Sequence, residues 1–174
     1  RMASYIVDEE LPEDPYSDIA AETGLTRDKI KSVITKCFGA STSKGTKGKL
    51  IQDAHLDKRS PMSADDFRSI LASIEKSYPW VRDENLFFND VGTRMQWLEG
   101  EIALKMLKWA TEEEIPLLAV HDAYAVRASD GSSTAKRMEE VWIEVMRMAK
   151  ADRFLEATQH TVAEVQKRRK ALQA

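Results

Sequence analysis

Cysteine is almost missing from this sequence: Cys37 stands alone, so no internal disulfide can form and no thiolate cluster can be built around a metal. A reducing, cytoplasmic setting is the expectation. Histidine is nearly as scarce, and His55, His121 and His160 lie far apart, without the His-Glu-x-x-His spacing of a zinc-binding helix. Long hydrophobic runs are absent too. Stretches such as 115–120 fall far short of the ~20 apolar residues that cross a bilayer, and nothing reads as a signal peptide, so no membrane partner is expected. No glycine-rich phosphate loop occurs, because Gly45-Thr-Lys-Gly lacks both the spacing and a preceding strand. The opening Arg-Met-Ala-Ser is not a natural start and reads as a vector remnant or the cut edge of a longer protein.

What is present suits a folded domain. Hydrophobic residues make up 43% of the 174 and charged residues 32%, which excludes wholesale disorder and allows one domain with a proper core. The net charge of −3 argues by itself against a nucleic-acid binder, but it hides an asymmetry. Residues 1–26 carry seven acids against Arg1 alone. Residues 27–59 carry nine bases against Asp28, Asp53 and Asp57, a local charge of +6. Such a block marks either a contact with something anionic or a solvated surface.

Periodicity organises the rest. Ser17 is a plausible cap for a short helix that Gly24 ends, and Thr26 caps the next. Over residues 27–38 the apolar positions Ile30, Val33, Ile34 and Cys37 share one face, which makes Cys37 a buried residue rather than a nucleophile. Residues 40–48 read as a mobile polar loop. Ser63 opens a helix with Phe67, Ile70, Leu71 and Ile74 inward, which stops before Pro79. Residues 80–89 form a linker with room for a short turn or strand.

The most regular helix spans 91–112, with Met95, Leu98, Ile102, Met106 and Trp109 in one stripe, widened by Leu104 and Leu107. Then an apolar run (115–120), the polar pair His121-Asp122 and a second apolar run (123–126) predict a tight, buried β-hairpin. A polar loop at 129–133 precedes a helix from Ser133 carrying Met138, Val141, Trp142, Val145 and Met148. The helical tryptophans Trp97, Trp109 and Trp142 suit core or interface better than base stacking. The expected fold is α+β, predominantly α: an acidic opening with a basic helix and loop (1–59), a helix–hairpin–helix core (60–149) and a C-terminal helix (150–174).

His121-Asp122 is the sharpest chemical feature. A carboxylate fixed between two strands suits a hard divalent cation, whereas an ordinary turn Asp would bond its own backbone. The segment Asn89-Asp-Val-Gly-Thr-Arg-Met-Gln-Trp-Leu-Glu-Gly-Glu-Ile-Ala, followed by Ile115-Pro-Leu-Leu-Ala-Val-His-Asp-Ala-Tyr-Ala-Val, resembles the palm of single-subunit polymerases, the phage-type RNA polymerases and family A DNA polymerases. Upstream, Arg27-Asp-Lys-Ile-Lys-Ser-Val-Ile-Thr-Lys-Cys-Phe-Gly resembles their fingers helix. The likeness spans roughly residues 14–148.

That resemblance implies a template-directed nucleotidyltransferase of a phage or mobile element, using Mg²⁺ or Mn²⁺, a nucleoside triphosphate, and DNA or RNA. By the same resemblance Asp122 binds the metals and His121 lies beside the primer or transcript end. Arg27, Lys31, Phe38 and Gly39 would receive the nucleotide, with Lys44, Lys47 and Lys49 near nucleic acid. Three departures stand out. Phe38 follows Lys31 by seven residues where eight are expected, and Ala123 stands where the DNA polymerases have Glu. No Asp lies on an apolar strand upstream to supply the second metal carboxylate, which the remainder of a larger chain would have to provide. The chain by itself is therefore expected to be inactive. The other expectation is a non-catalytic helical module that binds nucleic acid or protein.

Overall fold

The computed structural model describes residues 1–41, 45–120 and 123–151. Local chemistry explains most helix boundaries. The first helix, α1 (Met2–Ile6), is a single short turn and a half. α2 (Ser17–Thr23) is started by Asp14 rather than by Ser17: its carboxylate accepts the Tyr16 N–H at 3.1 Å and the Ser17 hydroxyl at 2.8 Å. Gly24 ends this helix in the left-handed conformation, φ +67°, which a residue without Cβ adopts readily. α3 (Arg27–Gly39) follows Thr26 and buries Ile30, Val33 and Cys37 completely.

The 40–48 segment is shorter as a loop than its composition suggests, because α4 (Thr46–Gln52) starts inside it and runs into a 3₁₀ turn, Asp53–Leu56. α5 (Ala64–Ser77) has a complete capping box. The Asp66 N–H donates to Ser63 Oγ at 3.0 Å, and the Ser63 N–H donates back to Asp66 Oδ2 at 3.4 Å. Residues 80–89 hold a brief helix, α6 (Trp80–Asp83), and no strand. α7 (Val91–Glu112) keeps the expected bounds.

After α7 come β1 (Leu118–Val120) and β2 (Ala123–Ala125), antiparallel, with Leu118 opposite Ala125, Ala119 opposite Tyr124 and Val120 opposite Ala123. α8 (Gly131–Ala151) begins two residues before Ser133, after a 3₁₀ turn at Ala128–Asp130. The expected C-terminal helix lies, beyond residue 151, outside the described residues. Predominantly helical α+β architecture is therefore observed.

One cluster of buried side chains runs from Ala3 to Ala149, drawing on α1, α2, α3, α5, α7 and α8. α2 and α3 pack on α5, α3 also on α7, and α8 on both α1 and α7. Three expectations about burial need correction. Leu104 and Leu107 do not widen the buried stripe of α7; both are exposed, since none of the described elements covers that flank. On α8 the buried face is Thr134, Val141, Val145, Met146 and Ala149, leaving Met138 and Met148 in solvent. The hairpin is not buried: Leu118 is 64% and Val120 49% exposed, while Ala119 and Tyr124 take the inner side. No described helix is long and apolar enough to cross a membrane.

Candidate nucleic-acid and nucleotide site

The hairpin and the basic helix contribute separately. In the hairpin, pairing of Val120 with Ala123 leaves two residues in the sequence between the strands, His121 and Asp122. Both lie outside the described residues, as does Lys44, so their proposed roles are not placed. Among the described residues no group of three or more His, Cys, Asp and Glu side chains could hold a metal ion.

On α3 the cations divide into two kinds. Lys29 pairs with Asp66 at 3.3 Å. Lys36 and the Ser32 hydroxyl both donate to Asp57, whose other oxygen accepts the Arg59 N–H at 2.8 Å and the Ser60 N–H at 3.2 Å. Lys36 above all, then these hydrogen bonds, hold the Asp57 carboxyl well below the usual carboxylate range. These two lysines therefore bind parts of this chain together and are not available to a ligand.

Arg27 and Lys31 occupy the exposed side of α3, one turn apart. The Arg27 guanidinium lies over the Tyr16 ring, 4.5 Å from its centroid, with Asp14 at 3.9 Å. It is preoriented by the acidic opening yet still more than half exposed. Lys31 has no ion pair among the described residues, and the same holds for Lys47 and Lys49 on α4. Cys37 is buried, and burial pushes its thiol up to about 12, so it stays protonated and unreactive.

Phe38 and Gly39 end α3 in a tight junction. The Phe38 ring is half-buried and meets Phe87 edge-to-face, centroids 5.0 Å apart. The carbonyls that α3 would leave unpaired are met by the segment before α7: the Phe88 N–H donates to Cys37 O and the Asp90 N–H to Ala40 O, each at 2.8 Å. Holding both donors in place requires unusual backbone. Asn85, Phe88 and Asp90 all have positive φ, +51°, +58° and +52°. For Asn and Asp this is mild, but for an aromatic residue it costs on the order of 1–3 kcal/mol and persists only when the surroundings enforce it.

The outcome is that Phe87 turns into the core, while Phe88 is only partly buried against it, with Lys47 Nζ 5.5 Å from its ring centroid. Phe38, Gly39 and Lys47 are candidates by resemblance, whereas nothing in that resemblance singles out Phe88. The signal available was Asn85 and Asn89-Asp90 flanking two phenylalanines, residue types that tolerate the left-handed region. Compared with family models, curated proteins and solved structures, the chain has no match.

Proposed function

We propose that the chain is the palm-and-fingers portion of a template-directed nucleotidyltransferase of phage or mobile-element type. The observation that carries this reading is the hairpin. Two long helices flank it, and its register leaves only His121-Asp122 between paired strands. In this reading Asp122 ligates Mg²⁺ or Mn²⁺, and His121 lies beside the primer or transcript end. Arg27 and Lys31 take the triphosphate of the incoming nucleotide, Phe38 and Gly39 border it, and Lys44, Lys47 and Lys49 lie along DNA or RNA. When bound, the metal polarises the phosphoryl oxygens and activates the attacking hydroxyl. A lone carboxylate cannot hold two ions about 3.5–4 Å apart, so catalysis needs a second acid from the remainder of a larger chain.

A second reading, a non-catalytic helical nucleic-acid-binding module, is favoured by the outward cations of α3 and α4, which require no second acid. Two assays on the purified chain separate the possibilities. Binding of DNA and RNA at two salt concentrations should weaken steeply with salt, because Lys and Arg release counterions from phosphates. Nucleotide incorporation with Mn²⁺ should be absent. Incorporation abolished by Asp122→Ala would mean that this chain holds the second carboxylate after all. No binding at low salt would remove both nucleic-acid readings and leave a protein-interaction module.

A further inference from the structure

The junction between α3, α4 and α7 carries an aromatic ring, Phe88, that packs against the core yet is only partly buried. Phe87 already fills the interior beside Phe38, and its ring is tilted 78° from that of Phe88. Phe88 has a left-handed backbone, and that conformation is enforced from both sides by the bonds to Cys37 and Ala40. Above the ring stands the ammonium of Lys47, and Lys49 is exposed on the same short helix. Asp90, the acid two residues on, turns its Oδ1 to the Thr93 hydroxyl at 2.7 Å.

We infer that Phe88 is a stacking platform for one base of a single-stranded nucleic acid, with Lys47 as its phosphate contact. This rests on the proposed nucleic-acid reading and adds to it the residue that grips a base rather than the backbone. Chemistry favours the pairing. A base presents a flat π face that stacks on an aromatic ring whatever its identity, and a lysine beside the ring neutralises the adjoining phosphate. Without ligand the ammonium covers the ring through a cation–π contact. A base displaces it, and the flexible four-carbon stem lets the charge swing to the phosphate. Nothing in this arrangement reads base identity, so binding is sequence-tolerant.

The test uses the full chain and a fluorescein-labelled oligothymidylate. Phe88→Leu retains an apolar side chain but loses the ring, and should weaken binding by about 5- to 100-fold with an unchanged salt dependence. Phe88→Tyr should keep wild-type affinity. Lys47→Ala should instead flatten the plot of log affinity against log salt by about 0.7, one phosphate's share for a single strand. A second measurement does not depend on the variants folding: an oligothymidylate carrying 5-iodouracil, irradiated in complex with the wild-type chain, should cross-link to Phe88. Tight binding with no cross-link at Phe88, or a folded Phe88→Leu variant that binds like wild type, overturns this inference alone. Absence of binding by the wild-type chain overturns it together with the nucleic-acid reading beneath it.

Discussion

Gly92 sits against Phe38 so closely that a Cβ on it would stand 3.1 Å from the Phe38 carbonyl oxygen, with Gly39 N and Cα at 3.2 Å. All three atoms are backbone, and the neighbouring carbonyls of Cys37 and Ala40 are tied to Phe88 and Asp90. The end of α3 therefore has little room to retreat. Gly92→Ala should destabilise the fold by about 1–2 kcal/mol, because overpacking outweighs the helix propensity gained. Gly100, on the same helix, faces open space. Gly100→Ala should stabilise by about 0.5–1 kcal/mol. Denaturant unfolding of the two variants reads opposite signs; equal signs would refute the close packing.

Asp57 ties the end of the 3₁₀ turn to α3 through Lys36 and Ser32. Its carboxyl is held below the ordinary value, so folding favours the ionised form. The resulting stability is fully present above the unfolded value, ~3.9. It is lost as pH falls below that and through the lower folded value. Asp57→Asn should therefore lower the urea midpoint at neutral pH and flatten its acid dependence. A variant whose midpoint falls with acid as steeply as wild type would count against the network.

Asp66 has two duties, closing the capping box of α5 and pairing with Lys29 of α3. Ser63→Ala removes the cap alone and should cost about 1 kcal/mol. Asp66→Ala removes both and should cost more, whereas Lys29→Ala should cost less than either, since partly exposed pairs contribute about 0–1 kcal/mol. Thermal unfolding of the three variants tests this order.

Arg27 and Lys31 share a face but differ in what holds them. Arg27 rests on Tyr16 and Asp14, while Lys31 has no described ion pair. Both Arg27→Ala and Lys31→Ala should weaken binding of a nucleoside triphosphate, but only Arg27→Ala should also lower the unfolding midpoint, by roughly 0.5 kcal/mol in stability. Isothermal titration and unfolding of each variant are the measurements. Unchanged triphosphate binding in both would leave them as solvated charges.

Much of the fold was legible because its signals are local. The period of 3.6 along 91–112 gives α7 its bounds, and the capping pair Ser63 and Asp66 gives α5 its start. The apolar–polar–apolar alternation around His121-Asp122 likewise gives a hairpin, although its strands, Leu118–Val120 and Ala123–Ala125, are shorter than the apolar runs 115–120 and 123–126. Charge type was legible as well: the basic block in 27–59 needs only counting.

Tertiary structure decided which of those residues remain available. Sequence shows nine bases alike, but Lys36 meets Asp57 and Lys29 meets Asp66 only when distant segments pack together. Periodicity put Leu104 and Leu107 inward because it describes one helix, whereas burial depends on whether a second element covers that flank. Phe88 belongs to the same class. Two adjacent phenylalanines in the 80–89 linker carry no sign of which is the more buried; the bonds to the end of α3 hold the left-handed backbone at Phe88, with Phe87 buried and Phe88 only partly so. Local chemistry is written residue by residue, but availability to a ligand is a property of what lies on the other side.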